Sequence, residues 1–135
     1  MVQGLQRVMV TAIIKKGNKY LLVKRSKKSK AFAGYWQFPE GGVRYGENVL
    51  DALGRELREE LSVNLLSAKL LWVYTCLLER YGLPLQLIRI FYKCKVSGQI
   101  KLNEENDDYG WFSKAGISKL KLVPGYEWDE LKEII

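Results

Sequence analysis

Apolar and polar positions change period several times along the chain, and each change marks an element. Residues 7–15 (RVMVTAIIK) are rich in β-branched side chains and predict a strand. Gly17-Asn18 is a two-residue turn signal, and residues 19–24 (KYLLVK) return as a second strand to make a hairpin. Residues 26–33 form a basic loop. Residues 34–46 (GYWQFPEGGVRYG) mix glycine with aromatics, and Pro39, which has no N–H to give, excludes a regular central strand throughout. From 48 to 61 the spacing turns helical. Val49, Leu50, Leu53, Leu57 and Leu61 recur at three- and four-residue intervals as an apolar stripe. Asn48 stands where a cap is needed, with Asp51 at capping-box spacing. Two further strands, 69–78 and 85–96, flank a turn at Tyr81-Gly82-Leu83-Pro84. An acidic loop, 103–108, leads to a short strand around Gly110-Trp111-Phe112. Residues 113–120 predict a short helix, and 125–135 a terminal helix after Pro124. Strands with helices set apart predict a mixed α/β domain. With no repeat, low-complexity tract or linker, one domain spans 1–135.

Composition narrows the class. The 135 residues, 47% of them hydrophobic, suffice for one ordinary core. No apolar run is long enough to span a bilayer, and the N-terminus lacks the basic-then-apolar pattern of a signal peptide. The expectation is a soluble, cytoplasmic protein with no membrane partner. Cys76 and Cys94 are not arranged as CxxC, and the chain has no histidine. The usual zinc sets and any histidine-based triad are thereby excluded, and the cysteines read as buried, reduced thiols. A metal here would be held by oxygen, which favours Mg2+ or Mn2+. The net charge of +7 attracts polyanions without telling a nucleotide from RNA or an anionic surface.

The stretch richest in chemistry runs from Gly41 to Val63. Glu56, Glu59 and Glu60 lie three and four residues apart on a helix, so their carboxylates can converge. Each like-charged pair costs a few tenths of a kcal/mol, roughly the size of helical i,i+4 effects. Leucine packing can absorb that cost on a merely solvated face. A metal ion gives the cluster a positive reason to exist.

Gly41, five residues, Glu47, seven residues, then Arg55-Glu56-Leu57-Arg58-Glu59-Glu60-Leu61-Ser62-Val63 resembles the Nudix box, G-x5-E-x7-R-E-U-x-E-E-x-G-U, where U is aliphatic. Eight of its nine specified positions agree. The resemblance implies a loop–helix–loop (41–63) within a Nudix-type α/β/α sandwich with a mixed sheet. It implies that Glu56, Glu59 and Glu60 ligate divalent cations together with a backbone carbonyl near Glu40 or Gly41. Arg55 would pair with nearby carboxylates, Glu47 among them, as structural support. Ser62 departs, standing where the family has glycine. Asn64 is the residue expected to take over the left-handed turn, leaving an altered helix exit with the chemistry intact.

A narrower resemblance concerns Tyr35-Trp36-Gln37-Phe38-Pro39-Glu40-Gly41-Gly42, which is similar to the WQFPQGG stretch of the RNA pyrophosphohydrolase and dinucleoside-polyphosphate hydrolase branch. Glu40 replaces a glutamine there. That branch has a late E-x-D-x-x-x-W segment, which Glu105-Asn106-Asp107 and Trp111 match. Glu105 is therefore expected as a further ligand or general base, with Glu104 and Asp107 as alternatives. Catalysis is expected from Glu56, Glu59 and Glu105. For the substrate, Arg25 and Arg44 suit bidentate phosphate contacts, and Lys28 adds charge. Trp36 could stack on a base or pack in the core. Tyr81 sits where dinucleoside-polyphosphate members often carry a tyrosine, though turn chemistry explains it equally.

The implied reaction is metal-dependent hydrolysis of a pyrophosphate bond in a nucleoside diphosphate linked to another group. Dinucleoside polyphosphates and 5′-triphosphorylated RNA ends rank first. Oxidised nucleoside triphosphates and ADP-ribose follow. A non-catalytic nucleotide- or RNA-binding module on the same fold is the rival from another class. The sequence leaves oligomeric state open, a homodimer included.

Overall fold

The β-branched run near the N-terminus becomes the strand on which the others assemble. In the computed structural model, which describes residues 4–80 and 82–135, it is β1 (Leu5–Lys16). A turn with Gly17 at φ +62° returns the chain as β2 (Lys19–Arg25). The glycine and aromatic stretch gives two short pieces, β3 (Trp36–Gln37) and β4 (Glu40–Gly42), broken at Pro39. There follow α1 (Val49–Leu61), β5 (Asn64–Arg80), β6 (Leu83–Ser97), β7 (Asn106–Phe112), α2 (Lys114–Ile117) and α3 (Trp128–Ile134).

β1 runs parallel to β6 from Leu5↔Leu85 to Ile14↔Cys94 and antiparallel to β4 from Met9↔Gly42 to Thr11↔Glu40. It meets β2 at Lys15↔Tyr20 and Lys16↔Lys19. β5 lies beyond β6, while β3 and β7 both pair with β2. The sheet is mixed. Side-chain alternation then divides the core. Val10, Ala12, Ile14, Leu21 and Val23 pack with Ala52, Leu53, Leu57 and Leu61 of α1. Ile13, Tyr20, Leu22, Phe38 and Phe91 pack with Ile117 of α2, Leu131 of α3 and Tyr126. This is an α/β/α arrangement. Each fully buried leucine of α1 stabilises it by about 1.5–3 kcal/mol. No helix among the described residues is long and apolar enough to cross a membrane.

Several boundaries move from their expected places. β5 begins at Asn64, not residue 69, because bulges between Leu65 and Ser67 and between Leu70 and Trp72 scramble its alternation. β6 already includes Pro84, opposite Glu79 near the hairpin end. The second half of the acidic loop, 106–108, belongs to β7 and pairs with Lys24 and Arg25. α2 stops at Ile117, and α3 waits until Trp128 because Gly125 and Glu127 have φ of +93° and +49°. Leu50 leaves the apolar stripe, 47% exposed, and Ala52 fills the buried position. Asn48 does cap α1, its Oδ1 accepting the Leu50 N–H at 3.0 Å, and Asp51 adds charge to the first turn. Cys76 and Cys94 are free thiols. Tyr81 lies outside the described residues.

The helix exit also differs from expectation. Ser62 itself adopts the left-handed conformation, φ 60° and ψ 28°, while Asn64 opens β5. The serine N–H donates to Arg58 O at 3.0 Å, and its Oγ donates to Lys101 O at 3.1 Å. The conformation costs a serine about 1 kcal/mol, and the exposed hydroxyl bond returns roughly 0.5–1 kcal/mol. Ser62→Gly is therefore expected to leave the melting temperature unchanged or to raise it, with a gain of at most about 1 kcal/mol. Thermal denaturation measures this, and a clear drop contradicts the account.

Candidate active site

Helix α1 presents Arg55, Glu56, Glu59 and Glu60 toward the glycine strip of β4. Arg55 is the hub. Its Nε and Nη2 grip the two oxygens of Glu47 at 2.8 and 2.9 Å. Its Nη1 donates to Glu56 Oε1 at 2.8 Å and Glu59 Oε2 at 3.3 Å, and Nη2 also reaches Gly42 O at 3.0 Å. The Glu47 carboxyl is held down to about 2, first by the Arg55 guanidinium and then by the Arg44 N–H that it accepts at 3.0 Å. The bond to Glu47 in turn holds Arg55 more firmly charged.

Glu56 lies against the strip. A Cβ on Gly41 would fall 1.9 Å from its carboxyl carbon, so any side chain there would push the Glu56 carboxylate out of its place on Arg55. Burial pushes the Glu56 carboxyl up, and Arg55 opposes that rise. Glu60 is deeper, only 3% exposed, and its Oε2 has no hydrogen-bond partner. Burial pushes its carboxyl well up, and the charges of Glu56, Glu105 and Glu40 push the same way. The Glu40 backbone N–H opposes them. Glu59 is exposed, with Arg44 Nη2 3.7 Å away.

Glu105 stands at the end of the loop entering β7, close enough for its charge to act on both Glu56 and Glu60. Its neighbours have other employment. Asp107 Oδ2 accepts the Lys27 N–H at 2.9 Å, and the Ser26 N–H donates to Glu105 O at 3.0 Å, joining the acidic loop to the basic one. A cavity of about 710 Å³ opens between the loops, lined by Arg25, Lys27, Lys28, Gln37, Glu104 and Glu105 among others. Lys28 is exposed at this cavity. Arg25 is committed to the loop, its guanidinium donating to Ala31 O at 2.9 Å, Ser29 Oγ at 2.7 Å and Gln37 Oε1 at 3.3 Å. Trp36 packs edge-on against Phe112 at 5.0 Å, in the core layer away from α1, and lines neither this cavity nor the next. The core reading of Trp36 is the one this placement favours.

On the other side of β4, sequence reasoning missed a buried group. The Glu40 carboxylate accepts the Tyr126 hydroxyl and faces Arg89 Nη2 at 3.4 Å. Arg89 also donates to Gly125 O at 2.6 Å and covers the Tyr126 ring at 4.5 Å. These residues adjoin a second cavity of about 690 Å³, whose lining includes Arg7, Met9, Gln37, Glu40, Leu87 and Arg89. Its one sequence signal is glutamate where the resembled stretch has glutamine.

The expected convergence of three carboxylates is incomplete. Among the described residues, no three acidic groups are already gathered around one point. Arg55 draws Glu56 and Glu59 toward itself, while Glu60 stays beneath the strip. The set nonetheless fits a hard divalent cation. Its donors are carboxylate oxygens and backbone carbonyls, and the buried Glu60 Oε2 is an orphaned oxygen with no hydrogen-bond partner.

Residues 5–130 match the NUDIX domain family. The chain is 32% identical to the nucleoside triphosphatase NudI of Escherichia coli O139:H28, over 78% of this chain and 81% of that protein. Its fold superposes on the MutT protein of Methanosarcina mazei Go1 with a TM-score of 0.84 at 24% identity, covering 99% of this chain and 96% of the other. A MutT NUDIX hydrolase from Burkholderia pseudomallei gives a TM-score of 0.75 at 27% identity, over 96% and 98% of the two chains.

The state of Glu60 has a measurable consequence for the metal-free protein. Because its folded-state pKa is raised, its penalty is absent below the ordinary carboxylate range. The penalty grows as pH climbs toward the raised value and is full above it. Glu60→Gln cannot ionise. In chelator at pH 8 it should be more stable than wild type by on the order of 1–3 kcal/mol, the cost of an unsatisfied buried polar group. The gap should close toward pH 4. Paired melting curves across pH check this, and a variant less stable at pH 8 contradicts it.

Proposed function

The chain belongs to the Nudix family and is a Nudix pyrophosphohydrolase, and from that premise we propose that its substrate is a nucleoside triphosphate, split by water into a nucleoside monophosphate and pyrophosphate. The observation that carries the metal-assisted chemistry of this reading is the buried, unpartnered oxygen of Glu60 beside Glu56 and Glu105. A fold that leaves such an oxygen buried and unpartnered calls for a cation. Glu56, Glu59 and Glu60, with the Gly41 carbonyl, would hold Mg2+ or Mn2+. When bound, the cation neutralises charge on phosphate oxygens and lowers the pKa of water. Arg55 and Glu47 fix the helix against the strip. Glu105 accepts the proton of the attacking water or adds a ligand, since its charge reaches Glu56 and Glu60 while Asp107 is committed to Lys27. Lys28, exposed at the cavity, and Arg44, held by an exposed pair with Glu59, would meet phosphate oxygens, and Arg25 orders the loop that carries Lys28. A cytoplasmic setting, where nucleotides abound, is part of this reading.

The triphosphate ranks first because the NudI relatives are named nucleoside triphosphatases. A second reading, a dinucleoside polyphosphate or the 5′-triphosphate end of RNA, is favoured by the stretch from Tyr35 to Gly42 and by the basic cavity rim at Lys27 and Lys28. A panel with Mg2+ tests both. It holds nucleoside triphosphates, oxidised triphosphates, dinucleoside polyphosphates, triphosphorylated RNA and ADP-ribose, with products resolved by mass spectrometry in oxygen-18 water. Pyrophosphate release from triphosphates is expected. Glu59→Gln or Glu60→Gln should lower turnover by at least about a hundredfold, given what metal-ligand shells contribute. Absence of metal-dependent turnover across the panel removes the reading.

A further inference from the structure

The positive charge of this chain is unevenly placed. Its first acidic residue is Glu40, none lies between Glu60 and Glu79, and none between Glu79 and Glu104. Those acid-free segments supply β1, β6 and most of β5, which are consecutive in the sheet. Near the C-terminal end of β1, four lysines share a face. Ile13 pairs with Lys93, and Lys93 with Lys69. Lys15 and Lys95 each lie two residues further along their strands, and that spacing keeps a side chain on the same face. This face carries Ile13 and lies opposite α1. All four lysines are exposed, and none makes an ion pair with an acidic side chain among the described residues. Lys69 and Lys93 stand directly opposite on antiparallel strands, where like charges destabilise. Beside them on the same face is Trp72, half-buried, its ring 5.5 Å from Phe91 and 5.0 Å from Tyr74. The patch ends at Tyr74, which feels the charges of Glu127 and Glu130.

We propose that this face binds single-stranded nucleic acid, with Lys15, Lys69, Lys93 and Lys95 on backbone phosphates and a base packed against the exposed part of Trp72. Flexible ammonium groups at strand spacing can follow a phosphodiester chain, and the flanking ring offers a base an aromatic surface to pack against. A polyanion also relieves the repulsion between Lys69 and Lys93. Single strands suit the patch because an unpaired base can reach the ring, which a duplex keeps stacked inside. The surface is separate from the acidic helix, so this inference goes beyond hydrolysis.

The test uses a short fluorescent RNA with a 5′-hydroxyl, which offers no pyrophosphate bond, titrated by anisotropy at several salt concentrations. Wild type should bind with a strong salt dependence. The combined Lys15→Gln, Lys69→Gln, Lys93→Gln and Lys95→Gln protein should bind at least about tenfold more weakly at low salt. Its log–log salt slope should be shallower by about 2–3, at roughly 0.7 per lysine engaged. Nucleotide hydrolysis should stay within about twofold of wild type, since these positions lie outside the acidic site. Lys69→Glu places an opposite charge across from Lys93, so it should weaken RNA binding while raising the melting temperature, which separates lost binding from lost folding. An unchanged slope and affinity in the four-lysine variant overturns the proposal. So does equal binding of duplex RNA, polyglutamate or phosphatidylserine vesicles with the same sensitivity to the substitutions. Binding and hydrolysis are read separately, so either reading can fail while the other stands.

Discussion

The guanidinium of Arg55 carries five donors in one plane, and the structure spends them on four residues of two elements and the loop between them. Glu47 takes a two-pronged grip, Glu56 and Glu59 one contact each, and the Gly42 carbonyl another. Three glutamates at three- and four-residue spacing repel on a bare helix. Arg55 offsets that repulsion and ties α1 to β4 in the same set of contacts. A lysine could supply the charge without the planar fork that reaches all four partners. Gly41 follows from the same constraint, because the Glu56 carboxylate occupies the space where a side chain would begin.

β4 separates two buried carboxylates with opposite fates. The Glu40 side chain is satisfied within the fold by Tyr126 and Arg89. Glu60 receives a backbone N–H from Glu40 and otherwise faces more negative charge. The same chain thus demonstrates, a strand's width away, how it neutralises a buried acid when neutralisation is structural. Among the described residues, it gives Glu60 Oε2 no hydrogen-bond partner. That asymmetry distinguishes a cation site from a solvated acidic helix better than the spacing of the glutamates does.

Legibility in the sequence followed the range of the interaction. The helix 49–61, its Asn48 cap and the hairpin at Gly17 depend on residues close in the chain, and these could be read, while the grip of Arg55 on Glu47 was legible only through the resemblance of the box. β5 could not be bounded because two bulges break its period of two. Glu40, Arg89 and Tyr126 were invisible as a group, since only folding brings residues so far apart in sequence together. Arg25 shows a subtler failure. Residue type suggested phosphate binding, but three acceptors of its own loop and of Gln37 occupy its donors. Ser62 shows the reverse, a substitution that reads as a displaced turn and instead takes the left-handed conformation itself at some cost.

Charge placement explains why the protein's overall field cannot by itself bring a polyphosphate to its acids. The basic excess lies on β1, on the face opposite α1 and on the loop after β2, while Glu56, Glu60 and Glu105 act on one another between α1, β4 and the loop entering β7. A nucleotide drawn toward Lys27 and Lys28 comes under a positive potential at the cavity rim and a negative one at Glu105, Glu56 and Glu60. Its own phosphates worsen the second interaction. A divalent cation reverses the sign of that inner field, whereas protonation removes the carboxylate donors along with the repulsion. Metal dependence is thus already written into the relative positions of lysine rim and glutamate floor.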